Sequence, residues 1–376
     1  MDLSLSDEQQ MLKDSVARLV LEQCSIEKRR ECRDSQDGFD RALWSQLAEL
    51  GILALPFAEE DGGFGGSALD VMVVMEELGR GLALEPYLIN VVICGGLLQC
   101  ASADARATHL PTLIAGDSQW AFAFAEAHSR FNLCHVELAA TASADGFLLN
   151  GEKTSVLNGH CADQLIVSVR TAGATRDSEG VSLLVVDASA PGVERTSYPL
   201  VDGTRGADIR FTDVAVPAQA LIGDAGGAAV LIEDVVAQAL VAMGAEAVGA
   251  MDALLDQTTE YTRTREQFGQ PIGKFQALQH RMADMYLHCQ SLRSLLLYAA
   301  IARDEQRPDM LQAASGLKVK LGEAGRFVSQ QAVQLHGGIG TTDELGVGHY
   351  FKRLLLLNTL FGDEKHHLER YVQLQA

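Results

Sequence analysis

Arg263 and Arg265 close a long apolar-periodic segment in "EYTRTREQFGQPIG", and Phe268, Gly269, Pro271 and Gly273 then break the helical pattern within a few residues. Guanidiniums beside a rigid break can hold an anion, because the planar fork of arginine donates parallel hydrogen bonds to a phosphate or carboxylate. The same cations also complement the negative end of a helix dipole, and residue types alone leave both readings open. In "QLHGGIG" a second helical pattern runs into Gly337 and Gly338, whose bare backbone can let a ligand approach or can simply cap the helix. Asp363, in "NTLFGDEKHHLERY", can abstract a proton as a general base or cap the terminal helix through its side-chain oxygen. "GQPIGKF" lacks the full G-x-x-x-x-G-K-[ST] pattern and a preceding strand, so it is no P-loop, and "GGIGTTDELG" is no dinucleotide fingerprint. His280 and His288 share a helix and His366 and His367 are adjacent, without zinc or di-iron spacing, so no metal is expected.

These residues need two kinds of scaffold. Ser6, three positions before Gln9, forms a capping-box pattern, and Met11, Leu12, Val16, Leu19 and Val20 follow at helical spacing, which predicts an amphipathic helix over residues 6–30. "DRALWSQLAELG" predicts a second helix closed by a left-handed Gly51, and "ALDVMVVMEELGR" one buried on most sides. From about residue 116 the period falls to 2, with turn signals at Asp145-Gly146, Asn150-Gly151 and Asn158-Gly159 and with Pro217 ending the last strand. Helical period returns near residue 230 as one helix of roughly thirty residues or more. Further helices follow from near Phe275, from Met310 to Leu335 and through "HYFKRLLLLNTLF". The expected fold is mostly α, with a helical domain over 1–115, a small antiparallel, β-barrel-like domain over 116–225 and a four-helix bundle over 226–376.

Thirty Lys plus Arg against fifty Asp plus Glu leave a formal charge of -20, which repels nucleic acid and anionic membrane, so an anionic ligand needs local cations. Seven cysteines, odd in number and without C-x-x-C spacing, argue against a disulfide framework. "MDLSLSDEQQ" has no leader character, and no apolar run approaches the roughly 20 residues that span a bilayer, so a cytoplasmic protein without membrane insertion is expected.

The order of helical domain, β domain and bundle resembles that of the acyl-CoA dehydrogenase family over nearly the whole chain. "RTREQFGQPIGKFQALQHRMADM" and "QAVQLHGGIGTTDELGVGHYFKR" resemble the family's two C-terminal signatures, and "LAELGILALPFAEEDGGFGG" its N-terminal one. "RALWSQLAELGILALPFAEEDGGFGG" and "LFGDEKHHLERY" are also similar to the branch described as small subunits of pimeloyl-CoA dehydrogenase. The resemblance implies FAD as cofactor and an acyl-CoA substrate oxidised between Cα and Cβ to the 2,3-enoyl-CoA. It implies a carboxylate that removes the α-proton, hydride transfer to flavin N5, and an electron-transferring flavoprotein or equivalent as acceptor. By the same resemblance Arg265 pairs with the FAD pyrophosphate of a neighbouring subunit and Phe268 packs near its flavin. Gln334, Gly337 and Gly338 lie against the adenosine side; a site shared between chains, together with the wide apolar faces of the bundle helices, predicts a dimer or a dimer of dimers.

Departures from the family pattern fall on the other half of the site. Where members carry Thr-Glu-Pro and then Gly-Ser-Asp, this chain reads "FAFAEAHSRFNL": after Phe124, Ala125 replaces the hydroxyl, Glu126 is kept, and Arg130, Phe131 and Asn132 replace the second element. Ser155 and Leu157 stand where many members place Trp and Thr beside the isoalloxazine, and Leu157 cannot hydrogen-bond flavin N5. Phe124, Ala125 and Ser155 are thus the flavin-facing candidates of an eroded half-site. For the base, counting forward from "QLHGGIG" puts Phe361 at the family's glutamate, and matching back from Leu368 and Arg370 puts Asp363 there. The position of an alternative glutamate is Ala239. Three readings follow: a subunit completing the FAD site of a heteromeric enzyme, a self-sufficient homo-oligomer with Asp363 as base, or a non-catalytic structural or acyl-CoA-binding partner.

Overall fold

The computed structural model describes residues 5–375; the first four residues of the segment read as lacking a leader lie outside the described residues. Helix α1 (Asp7–Gln23) starts at Ser6, whose hydroxyl accepts from the Gln9 N–H at 3.2 Å while the Gln9 side chain accepts the Ser6 N–H at 3.1 Å, so the expected capping box forms. The helix does not run to residue 30. Ser25 offers its hydroxyl to the Lys28 N–H at 3.1 Å, the bond that starts a new helix, and α2 (Ile26–Asp34) follows the break. Next come α3 (Arg41–Glu49), capped by Asp40 and followed by left-handed Gly51, and α4 (Ala68–Arg80), opened by a second capping box between Ser67 and Asp70. A fully buried π-helix (Leu88–Gly95), α5 (Gly96–Gln99) and α6 (Ala103–Ile114) complete the first helical run.

Strands β1 (Trp120–Ala123), β2 (Ala139–Ser143), β3 (Gly146–Leu157), β4 (Gln164–Arg170), β5 (Val181–Asp187), β6 (Val193–Pro199), β7 (Arg205–Pro217) and β8 (Leu221–Ile222) form one eight-stranded sheet. Its order is β6-β7-β3-β2-β4-β5-β8, with β1 beside β4. The sheet is largely antiparallel, as expected; the exceptions are β1, which runs parallel to β4 because a crossover rather than a hairpin joins them, and a single parallel contact of β2 with β4 at Ala139. Asn150-Gly151 is not a turn but lies inside β3, at a register shift against β7 where Gly151 takes φ 144°. Asp145-Gly146 does turn the chain, pairing Ser143 with Gly146.

Helix α7 (Ala228–Thr264) is 37 residues long. By length and composition it suffices to cross a membrane, which corrects the expectation that no run approaches that span; 67% of its most apolar stretch is buried inside the protein, as in a core helix. A hairpin of β9 (Glu266–Gln267) and β10 (Gln270–Pro271) leads to α8 (Gln276–Asp304), α9 (Met310–His336), α10 (Gly346–Thr359) and α11 (Glu364–Gln373).

Packing gathers the chain into two compact units, one of residues up to Asp34, Ser67–Leu84 and Leu240 onward, the other of Ser35–Gly66 and Glu85–Ala239. In the first, α4 meets α7 backbone to backbone: a Cβ on Gly79 would lie 2.1 Å from the Glu246 carbonyl oxygen, and one on Gly249 would lie 1.8 Å from that of Glu76. The side chains of the same two glutamates enter ion pairs, Glu76 with Arg293 at 2.7 Å and Glu246 with Arg353 at 3.0 Å. In the second, the sheet buries Leu138, Leu149, Leu165, Val167, Leu184 and Phe211 on one another.

Candidate functional site

Beyond the end of α7 the chain reverses in a two-residue turn between Gln267 and Gln270. Both central residues have left-handed backbone, Phe268 at φ 54° and Gly269 at φ 79°, a geometry that suits strand twist and favours Asn-Gly. A bulky residue in that region costs on the order of 1 kcal/mol. Phe268 is nevertheless 91% exposed and touches Phe275 only edge-on, at 6.1 Å. Strain combined with exposure suits a ring kept for a ligand or a partner. Arg265 is fixed through its main chain, whose N–H donates to the Tyr261 carbonyl and whose carbonyl accepts from the Ile272 N–H, both at 2.8 Å. Its exposed guanidinium makes no hydrogen bond or ion pair among the described residues, whereas Arg263 lies 3.8 Å from Glu260.

Tyr261, one turn earlier, stacks on His336 at 4.4 Å, and its hydroxyl donates to the His336 carbonyl at 3.3 Å. This contact sets the C-terminus of α9 beside the hairpin. Gln334 is exposed on the last turn of α9, Gly337 takes φ 66°, and a Cβ on Gly337 or Gly338 would meet no atom within 4 Å. The structure therefore brings Arg265, Phe268, Gln334, Gly337 and Gly338 to one end of the helical unit. An unpaired guanidinium, open glycine backbone and an exposed ring fit a phosphate-bearing aromatic cofactor such as FAD.

The β unit fits less well. Ser155, left-handed at φ 54°, sits at a second register shift in β3; its N–H donates to Asp208 at 2.9 Å and its hydroxyl accepts from Tyr198 at 3.4 Å. Ala125 offers only backbone, and its carbonyl already accepts from the Thr154 N–H at 2.8 Å. Phe124 stacks on Phe122 at 5.1 Å. Arg130 is left-handed and exposed, over the Phe131 ring at 5.9 Å, where the family pattern has small and acidic residues. These positions supply few free polar groups to an isoalloxazine.

Sequence reading missed what organises this edge. Lys153 is fully buried and its ammonium donates to Glu126 at 2.7 Å, to the Ser168 hydroxyl at 3.0 Å and to the Phe124 carbonyl at 3.2 Å. Glu126 also accepts from the N–H groups of Glu137 and Leu138, at 2.6 and 3.1 Å. Burial pushes the Lys153 ammonium down to about 8, against the pull of Glu126. The signal was strand parity, which places Lys153 on the inward side with Leu149. Glu126, His135 and Glu137 come close enough to hold a metal ion, but Glu126 is matched by Lys153, and His135 takes the Arg176 N–H on Nδ1 at 3.3 Å and donates from Nε2 to Glu137 at 3.0 Å.

At the far end of the chain, Asp363 serves α11 as its N-cap, accepting from the His366 N–H at 2.9 Å. Phe361 is buried and left-handed at φ 56°, and Ala239 is buried within α7. A second unforeseen lysine, Lys318 on α9, is buried against the end of α10.

Descriptions of the acyl-CoA dehydrogenase N-terminal, middle and C-terminal domains match residues 6–117, 121–214 and 226–373. The probable acyl-CoA dehydrogenase YngJ of Bacillus subtilis is 30% identical over 379 residues, spanning 99% of this chain and 98% of its own. Among solved structures, the ChsE4-ChsE5 complex from Mycobacterium tuberculosis superposes with a TM-score of 0.89 at 29% identity, covering 99% of this chain and 98% of that one. The FAD complex of PigA superposes with a TM-score of 0.92 at 25% identity and full coverage of both.

Proposed function

Since the chain belongs to the acyl-CoA dehydrogenase family, whose members dehydrogenate acyl-CoA with FAD, we propose that it acts as one subunit of a heteromeric acyl-CoA dehydrogenase and completes the FAD site of a partner chain. The asymmetry of the two half-sites carries this reading: Arg265, Phe268, Gln334, Gly337 and Gly338 stand free for a ligand, while Ala125, Ser155 and Leu157 offer an isoalloxazine little. ChsE4-ChsE5, a similar structure, is itself a complex of two chains.

Bound FAD supplies acceptance of the β-hydride at N5. In this reading Arg265 grips the pyrophosphate through its fork, Phe268 packs beside the flavin, and Gly337 and Gly338 let the adenosine side approach their backbone while Gln334 hydrogen-bonds it. A carboxylate of the partner removes the α-proton, because Phe361 has none and Asp363 is engaged as a helix cap. An electron-transferring flavoprotein or equivalent takes the electrons. A cytoplasmic location belongs to the same reading, supported by seven free cysteines.

The experiment is to purify the chain alone and together with a co-expressed partner, and to record flavin absorbance and its bleaching by a panel of CoA thioesters. Flavin in the co-purified complex only is the expected result. Stoichiometric flavin in the chain alone overturns the proposal in favour of a homo-oligomer with Asp363 as base, and no flavin in either sample indicates a non-catalytic partner.

A further inference from the structure

Helix α10 ends at Thr359, and Leu360 leaves helical geometry at φ -61° and ψ 133°, so the carbonyls of the last turn need donors from elsewhere. Two of them, on Leu357 and on Asn358 (at 3.0 Å), accept from the ammonium of Lys318, a side chain of α9 that is 0% exposed. Room for this approach comes from Gly322, one turn further along α9, where a Cβ would lie 2.4 Å from Asn358 Oδ1. Past Leu360 the chain turns through Phe361, whose carbonyl accepts from His367 Nε2 at 3.0 Å. It then passes Gly362 at φ 121°, where a Cβ would lie 2.5 Å from His366 and 2.7 Å from His367. Asp363 follows and caps α11; burial pushes the Lys318 ammonium down to about 7, against the pull of the Asp363 charge.

We infer that Lys318 is a positioning residue: its buried side-chain nitrogen caps α10 at two carbonyls, so that it fixes the turn Leu360–Asp363 in one conformation. The turn is thereby tied at both ends, by Lys318 on the last carbonyls of α10 and by the bond from the His366 N–H to Asp363. Only the identification of this turn with the place of the family's base rests on the proposed function; the clamp itself does not.

The test uses the purified full-length chain and four forms of it: unchanged, Lys318→Met, Asp363→Asn and the double variant. Thermal unfolding is expected to show a Tm lower by several degrees for Lys318→Met, a smaller loss for Asp363→Asn because asparagine still caps, and a double variant less damaged than the sum. A second readout follows the His367 imidazole by NMR as pH falls. Burial holds it at about 3, and Lys318, His366 and Arg370 add positive charge around it, so Lys318→Met and Lys318→Gln, which differ in packing but share the loss of charge, are both expected to move its titration upward. Should Lys318→Met fail to fold, Lys318→Gln replaces it, keeping donors and losing the charge. Additive Tm changes, or an unmoved His367 titration in the folded variant, overturn the inference. Neither readout involves flavin, so the failure of the proposed function leaves both intact.

Discussion

Replacing Arg265 by alanine is expected to weaken FAD binding by the assembled enzyme roughly 10- to 100-fold while leaving the fold untouched. A hydrogen bond to a charged group contributes about 1.5–3 kcal/mol net, and about 1.4 kcal/mol is a factor of ten, so a single bond sets the lower end and a forked pair the upper. The upper end is held down because the guanidinium is exposed and gives up hydration on binding. Stability is expected to be unchanged, because the side chain makes no bond among the described residues and the main-chain bonds to Tyr261 and Ile272 survive the substitution. The assay is titration of the flavin-stripped complex with FAD, followed by quenching of flavin fluorescence at two salt concentrations. The wild type should lose affinity in salt more steeply than the variant, since one fewer cation meets the phosphates. Lysine at this position keeps the charge, loses the fork, and should rescue in part. An Arg265→Ala complex that binds FAD within about twofold of wild type refutes the assignment of this arginine to the phosphates.

Lys153→Met leaves the Glu126 carboxylate buried without its cation and should cost about 3–5 kcal/mol in urea unfolding, with Lys153→Met/Glu126→Gln recovering much of it; a double variant no more stable than the single one contradicts the pairing. His367 has its folded pKa lowered to about 3 from an ordinary value of 6.5, so in that window the unfolded chain binds the extra proton and stability is lost as pH falls, with a slope of up to about 1.4 kcal/mol per unit. His367→Gln should flatten that acid slope, and an identical slope would show that other groups set it. Gly249→Ala puts a methyl group into the Glu76 carbonyl, backbone against backbone, and should lower Tm by several degrees or prevent folding; an unchanged Tm would mean that α4 and α7 do not meet there.

What was legible in the chain was what is written locally. The Ser6 box, the left-handed Gly51 and the apolar periods of α7 and α9 depend on residues a few positions apart, and each appears where its neighbours put it. The "RTREQFG" and "QLHGGIG" elements were legible as helix ends for the same reason, each with its exposed residues in one stretch. The break at Ser25 was missed because one hydroxyl can outbid a continuing helical pattern, and Asn150-Gly151 misled because a dipeptide that favours turns sits in a ladder that holds it straight. The parallel pairing of β1 with β4 joins segments far apart, which no local period encodes. Lys153 and Lys318 were invisible because lysine is sorted outward by composition; only strand parity in one case and helix phase in the other mark them as inward.

In the proposed heteromer, the hairpin that presents Phe268 bears on how the subunits come together. Its ladder and the left-handed Gly269 hold the tip in shape before any other chain arrives, so docking has no segment left to fold. Encounter is then limited by diffusion and orientation, at rates of about 10⁵–10⁷ M⁻¹s⁻¹ for ordinary protein pairs, and differences between variants of the tip fall mostly on dissociation. In the proposed assembly, a change at Phe268 would thus alter how long two subunits stay together far more than how quickly they meet, and the lifetime of the bound cofactor would follow that residence time.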